Sequence, residues 1–194
     1  MKYVFFPDGD VVIKGLARGA LAYDYKLYAV KFNSQGKWAG VVSPVTTVRT
    51  VVPVAVDDHS SQLQIHWISH GASSSGPPVR SVGYMASCSL TTHSGTMADL
   101  AGIADAIASI VPDCPSHLVS HACNSGHPSR HSASGNKSIA ERLAAALKKR
   151  PEQAGKTTQT IEVSAPNISL QFGLDLDGVL KGFPKMKYKL NTSV

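Results

Sequence analysis

Two short stretches of this chain each end a hydrophobic run on residues that could perform chemistry together. Residues 66–76 read HWISHGASSSG and place His70 directly before a glycine, and residues 117–126 read HLVSHACNSG and place Cys123 in a similar setting. The thiolate is the nucleophilic form of cysteine, and a nearby imidazole can remove the thiol proton or stabilise the thiolate as an ion pair. The same imidazole can later protonate a leaving amine. We therefore interpret His70 and Cys123 as a candidate catalytic dyad.

A dyad of this kind also needs hydrogen-bond donors for the charge that develops on a substrate carbonyl. Gly71 has no side chain, so its backbone N–H could face that carbonyl, and the N–H of Cys123 could supply a second donor. In measured enzymes one such donor is worth about 3 kcal/mol of transition-state stabilisation. The residues NSG after Cys123 favour a turn, which would leave the thiol exposed at a loop. We expect Gly71 and Cys123 to form an oxyanion hole.

The fold must bring these residues together, because His70 and Cys123 lie 53 residues apart in the chain. The runs LQIHWIS, residues 63–69, and SHLVSHA, residues 116–122, predict buried strands, and each candidate residue directly follows one of them. Strands alternate with predicted helices after residue 60, which favours a parallel-type α/β sheet. The carboxyl ends of the strands form the binding crevice in such sheets. Neighbouring strands would therefore bring the two residues to one rim.

Two helices complete the predicted α/β part. Residues 96–111 have apolar residues at helical spacing and open with a capping-box-like pair, Thr96 and Asp99. The segment 136–150 predicts a helix with a cationic last turn that ends before Pro151. Further strands are predicted over residues 81–88 and 160–166.

The first part of the chain favours strands and turns. KYVFF and VVIKG flank a PDGD turn and predict one β-hairpin, and LYAVKF and KWAGVV flank NSQG and predict a second. TVRTVVPVAV is β-branched, and its Pro53 indicates an edge strand or a bulge. We expect a single domain over residues 1–194, with a β-rich N-terminal part (1–58), a catalytic α/β core (60–165) and a basic C-terminal part (166–194).

Composition limits the class of protein. Hydrophobic residues make up 43% of the chain and charged residues 16%, which is typical of a folded globular protein. No membrane-spanning helix is expected, because no window approaches eighteen apolar residues, and the apolar run before Pro7 is too short for a signal peptide. The three cysteines, Cys88, Cys114 and Cys123, lack CxxC spacing and argue against a disulfide framework. A cytoplasmic location, or delivery into a target cell without a Sec signal, is expected.

The formal net charge of +6 is concentrated in the stretches LKKRPEQAGK and KGFPKMKYKL. A basic C-terminal region of this kind could bind an anionic ligand. Neither stretch carries the interleaved aromatic residues of a single-strand-binding groove, so no specific nucleic-acid partner is expected.

The two strand-end motifs resemble those of the caspase-like (clan CD) cysteine peptidases, which include caspases, legumain, gingipains, clostripain, separase and the self-processing domains of bacterial toxins. The shared pattern is a hydrophobic run ending in His-Gly and a later one ending in Ala-Cys, here His70-Gly71 and Ala122-Cys123. The spacing also fits, since the caspase histidine lies about fifty residues before the cysteine. The resemblance covers residues 60–165.

This resemblance implies a fold, a reaction and roles for the residues. The fold would be a three-layer sandwich with a mainly parallel central sheet flanked by helices. His70 would be the general acid/base and Cys123 the nucleophile of a cysteine endopeptidase acting on protein or peptide substrates, with no cofactor or metal. It also suggests a bacterial effector or toxin protease. KKRPEQAGK and SRHSASGNK are candidate self-cleavage sites.

The chain departs from the caspase pattern at the nucleophile, where HACNSG replaces the glutamine-alanine-cysteine-arginine-glycine stretch. Primary specificity therefore stays open, with Arg80, Asp99 and Asp175 as unranked candidates for a pocket residue. Cys88, in MASCSL, is a competing nucleophile. Cys123 could instead be a buried structural thiol and His70 a core histidine.

Other functions also stay open. The chain could be a non-catalytic binding module that keeps this fold, or it could catalyse another acyl transfer such as transpeptidation or deamidation. The four-residue spacing of His66 and His70 suggests zinc, but such positions lie about 13 Å apart on a strand, and the usual zinc spacings are missing. GASSSG has one serine too many for a Gly-x-Ser-x-Gly elbow.

Overall fold

The protein has a mixed α/β fold. The computed structural model describes residues 1–23, 25–46, 62–73, 88–126, 137–166 and 190–193. The helices in this part are α1 (Val11–Arg18), α2 (Leu100–Ala108) and α3 (Ile139–Gln153), and a 3-10 turn (Gly19–Tyr23) follows α1. The strands are β1 (Lys2–Pro7), β2 (Lys26–Phe32), β3 (Trp38–Pro44), β4 (Gln64–Trp67), β5 (Gly71–Ser73), β6 (Cys88–Leu90), β7 (His117–Ser120), β8 (Glu162–Ala165) and β9 (Leu190–Ser193).

The main sheet is mostly parallel. Within the described residues its strand order is β3-β2-β1-β4-β7-β8-β9, and β5 pairs with β6 in a separate two-stranded sheet. The pairs from β2 to β8 run parallel, whereas β3 and β9 add to the edges in antiparallel fashion. The prediction of a mainly parallel sheet is confirmed.

Strand β1 shows how the sheet is buried on both faces. Successive side chains of a strand point to opposite faces. Phe5 packs in one core cluster with Ile103 of α2, whereas Val4 and Phe6 pack in a second cluster with Ile13 of α1. Since residues of α3 also belong to the first cluster, α2 and α3 cover one face and α1 covers the other.

The first predicted hairpin is wrong, because VVIKG begins α1 and is not a strand. Asp10 caps this helix, and its Oδ1 accepts a hydrogen bond from the N–H of Ile13 at 3.0 Å. Ile13, Leu16 and Ala17 then form one buried helical face. A short apolar run is compatible with a strand or with a helix, and here the N-cap residue Asp10 favours the helix. Strand β1 instead pairs in parallel with β2 and β4.

The NSQG turn does connect antiparallel strands, β2 and β3. Asn33 holds this turn, because its Oδ1 accepts from the N–H groups of Gln35 and Lys37, each at 3.0 Å. Both strands belong to the main sheet, so the described residues contain no separate hairpin region before it. The segment 47–56 lies outside the described residues, and the single-domain organisation stays a prediction.

The helix boundaries differ from those expected. Helix α2 begins at Leu100 with Asp99 as its N-cap, so Thr96 is not the cap residue. Helix α3 has the Ser138 and Glu141 capping box. It continues through Pro151 to Gln153, one turn beyond the predicted end. A proline close to the end of a helix removes a single N–H donor from the last turn. Of the predicted strand 81–88, the structure describes Cys88 alone, in β6.

Candidate active site

The strands that precede the two candidate residues are neighbours. Strands β4 and β7 pair in parallel, with Trp67 opposite Ser120, and the N–H of His121 donates to the Trp67 carbonyl at 2.8 Å. His70 and Cys123 each lie three residues beyond the Trp67–Ser120 pair. The two strands therefore deliver both residues to the same edge of the sheet.

Gly71 packs directly against the backbone of Cys123. A methyl group placed on Gly71 would lie 2.8 Å from the carbonyl carbon and 2.9 Å from the nitrogen of Cys123, and it would overlap the carbonyl oxygen. Ordinary contacts of such a methyl group begin at 3.4 Å. The glycine after His70 is thus required by the close approach of the two segments.

The backbone N–H of Gly71 points away from β6, the strand that pairs with β5. In the β5–β6 pair Gly71 stands opposite Leu90, and the N–H of Thr91 donates to the carbonyl of His70 at 3.0 Å. This bond makes the Gly71–Leu90 pair one of the non-hydrogen-bonded kind in an antiparallel ladder. The Gly71 N–H is directed away from β6, which leaves it for a group outside the ladder.

A tight turn presents Cys123. The N–H of Ser125 donates to the Ala122 carbonyl at 3.2 Å, and Asn124 has a φ of 57°. Asparagine tolerates this left-handed conformation better than most residues, and turns place it there for that reason. Cys123 is partly exposed, whereas Asn124 and Ser125 are buried. The alternative of a fully buried thiol therefore does not apply to Cys123.

The Cys123 turn is tied to two further elements. The N–H of Ala140, at the start of α3, donates to the Ser125 carbonyl at 3.0 Å. The N–H of Gly126 donates to the carbonyl of Pro166, just after β8, at 2.8 Å. These bonds hold the turn against the scaffold, as a precise site requires.

The backbone of His70 is held by several donors while its side chain faces solvent. Its carbonyl accepts from the N–H and the Oγ1 of Thr91 and from the Oγ of Ser69. The imidazole is 57% exposed, so His70 is not a core histidine. Its Nε2 lies 3.2 Å from Oδ2 of Asp10.

Sequence reasoning missed Asp10, Ser69 and Thr91. Asp10 was assigned to a turn of a hairpin. A usable signal existed, because PDGD follows a buried strand just as SHG and HAC do. Since β1 lies beside β4 in the sheet, the residues after β1 reach the same edge.

Beneath this edge lies a buried histidine pair. His66 Nδ1 and His121 Nε2 are 2.9 Å apart, their rings stack, and the ring of Tyr25 meets His66 edge-on. Burial lowers the pKa of His121 to about 3. The pKa of His66 is also lowered well below 6.5, first by burial and then by the charges of His121 and Lys2. Both rings are therefore neutral at physiological pH.

The other candidate residues occupy different settings. The carboxylate of Asp99 accepts from two N–H groups at the start of α2. Cys114 is buried, with its Sγ 3.7 Å from the carbonyl oxygen of Gln159. KKRPEQAGK forms the end of α3 and the turn after it. Arg80, Asp175, most of SRHSASGNK and most of KGFPKMKYKL lie outside the described residues.

Two kinds of site are absent from the described part of the chain. No group of three or more His, Cys, Asp or Glu side chains there is placed to hold a metal ion. No helix there combines the length and apolar character needed to cross a bilayer.

Comparisons with known proteins give one structural likeness. No protein-family model matches the chain, and no curated protein matches it. Among solved structures, a secreted C11 cysteine protease from Bacteroides thetaiotaomicron, "iotapain", is similar with a TM-score of 0.38 and 11% identity. The alignment covers 88% of this chain and 53% of that one, so the chain spans about half the length of this neighbour. At so low a TM-score, a proposed function has to be supported by the chain's own residues.

Proposed function

We propose that this chain is a cysteine endopeptidase with a caspase-like three-layer fold, in which Cys123 is the nucleophile and His70 the general acid/base. The observation that supports this most is the packing of Gly71 against the Cys123 backbone at the edge where β4 and β7 end. The segments that meet there carry a solvent-facing imidazole and a partly exposed cysteine. A turn with a positive φ at Asn124 directly follows Cys123.

The reaction follows from the two side chains and two backbone donors. His70 takes the thiol proton, and the thiolate of Cys123 attacks the scissile carbonyl carbon. The N–H groups of Gly71 and Cys123 stabilise the oxyanion of the tetrahedral intermediate. When the C–N bond breaks, His70 gives its proton to the leaving amine, and a thioester remains on Cys123. Water, deprotonated by His70, then attacks the thioester, releases the carboxylic acid and restores the thiol.

One finer part of this proposal, a role as a bacterial effector or toxin protease, comes from the motif resemblance. Two others, action inside a cell and an anionic ligand bound by the basic C-terminal region, come from the composition and charge of the sequence. Protein or peptide substrates follow from the reaction itself.

The experiment is alkylation of each cysteine by iodoacetamide, mapped by peptide mass, in the wild-type protein and in His70→Ala. An ordinary thiol is only about 0.3% thiolate at pH 6, so fast reaction at that pH marks an activated cysteine. We expect Cys123 to react fast below pH 7 and to slow about fivefold or more in His70→Ala. Buried Cys114 is the internal control and should react only after unfolding.

A matched variant separates the dyad from a general loss of structure. His117→Ala removes a histidine at the opposite end of β7 from Cys123 and should leave the Cys123 rate unchanged. If Cys123 is inert until the protein unfolds, or if His70→Ala does not slow it, the peptidase proposal is wrong. A non-catalytic binding module would then be the better description, since such a module has no reason to activate a thiol.

A further inference from the structure

Asp10 stands at the same edge as the dyad and has both carboxylate oxygens engaged. It follows β1, which lies beside β4 in the sheet. Its Oδ1 accepts from the N–H of Ile13 at 3.0 Å, and its Oδ2 lies 3.2 Å from Nε2 of His70. The side chain of Asp10 is only 12% exposed, although the imidazole it meets is 57% exposed. One carboxylate therefore joins the first turn of α1 to the ring.

The backbone before Asp10 is also held in place. The N–H of Asp8 donates to the Val30 carbonyl at 2.8 Å, and the N–H of Gly9 donates to Oδ1 of Asp8 at 2.9 Å. Gly9 has a φ of 92°, a conformation that a side chain would strain. The direction in which Asp10 leaves β1 is thus set by the scaffold, and so is the position of its carboxylate.

We propose that Asp10 is a positioning residue for His70, which holds the imidazole by Nε2 and leaves Nδ1 to take the proton of Cys123. This inference rests on the proposed function. A carboxylate accepts hydrogen bonds and donates none, so the nitrogen that meets Asp10 carries the ring proton. The other nitrogen is then the basic one. In serine proteases an aspartate acts on a histidine in this way, fixing its tautomer and orientation.

The N-cap role of Asp10 has to be separated from its action on His70. Asp10→Asn keeps an oxygen for the Ile13 N–H but turns an amide NH2 group toward the imidazole. That donor would favour the opposite tautomer, with the proton on Nδ1. Asp10→Ser keeps a good N-cap but is too short to reach the ring. Asp99→Asn is the matched control, since Asp99 caps α2 in the same way and contacts no histidine in the described residues.

The first measurement is ¹⁵N NMR of the full chain labelled at histidine, with the His70 ring signals assigned by their loss in His70→Ala. We expect the Nε2–H tautomer in the wild-type protein and in Asp99→Asn. Asp10→Asn should shift His70 towards Nδ1–H, and Asp10→Ser should give a mixture of both. Identical His70 ring signals in the wild type and in both Asp10 variants would overturn the inference.

The second measurement is the rate of Cys123 alkylation at pH 6 in the same variants. We expect Asp10→Asn to slow it about fivefold, close to the effect of His70→Ala, and Asp99→Asn to leave it unchanged. If His70→Ala slows the reaction but neither Asp10 variant does, the dyad stands and the role of Asp10 falls. If His70→Ala has no effect, the proposed function is wrong, and the role of Asp10 in proton transfer is then wrong as well.

Discussion

Acid should destabilise this protein through the buried pair formed by His66 and His121. In the unfolded chain His121 binds a proton below about pH 6.5, whereas in the folded chain burial lowers its pKa to about 3. Between these values the unfolded chain holds more protons, so this part of the stability is complete above pH 6.5 and is lost as the pH falls, by about 1.4 kcal/mol per unit. At pH 5 the loss through His121 is therefore about 2 kcal/mol. Burial lowers the pKa of His66 as well, so His66 adds to the loss.

The assay is urea unfolding followed by tryptophan fluorescence at pH 7, 6 and 5, where carboxylates stay largely ionised. Buried Trp67 provides a signal from the core. His121→Gln keeps a polar side chain that does not titrate, so its free energy of unfolding should fall by about 2 kcal/mol less than that of the wild type over this range. Equal losses in the wild type and His121→Gln would refute the reasoning.

Three further substitutions test the site and its support. Gly71→Ala should slow Cys123 alkylation at pH 6 as much as His70→Ala does, and it should lower the free energy of unfolding by about 1–3 kcal/mol. Gly155→Ala is its control, because Gly155 has a φ of 68° and open space around it. This control should lower the free energy of unfolding by about 1 kcal/mol and leave the alkylation rate unchanged. In urea unfolding, Asn124→Ala should be about 1 kcal/mol less stable than Asn124→Gly. Both variants lose the asparagine side chain, but only alanine is strained at a φ of 57°. Equal stabilities of the two variants would contradict this. Ser138→Ala should cost about 1 kcal/mol through loss of the α3 cap, and thermal melts showing no change would exclude that role.

The strand-end setting of His70 and Cys123 was predictable, because apolar runs that stop at small or polar residues mark strand ends. That β4 and β7 are neighbours was not, since a hydrophobic run carries no information about which strand pairs with it. The same limit hid Asp10, whose contact with His70 depends on β1 lying beside β4. Sequence reasoning also placed VVIKG in a strand, because it did not recognise Asp10 as a helix cap.

Because Asp10 contacts both the first turn of α1 and His70, the stability of that turn affects how often the contact with His70 is formed. Val11 and Val12 of that turn are 83% and 54% exposed, so Ile13 is the residue that attaches it to the core, and a helix end of this kind opens locally at lower cost than the central sheet. Each opening releases the Ile13 N–H and the imidazole from the same carboxylate. Hydrogen exchange at the Ile13 amide should therefore report how often His70 loses its contact with Asp10, and heating should break that contact while the sheet is still folded.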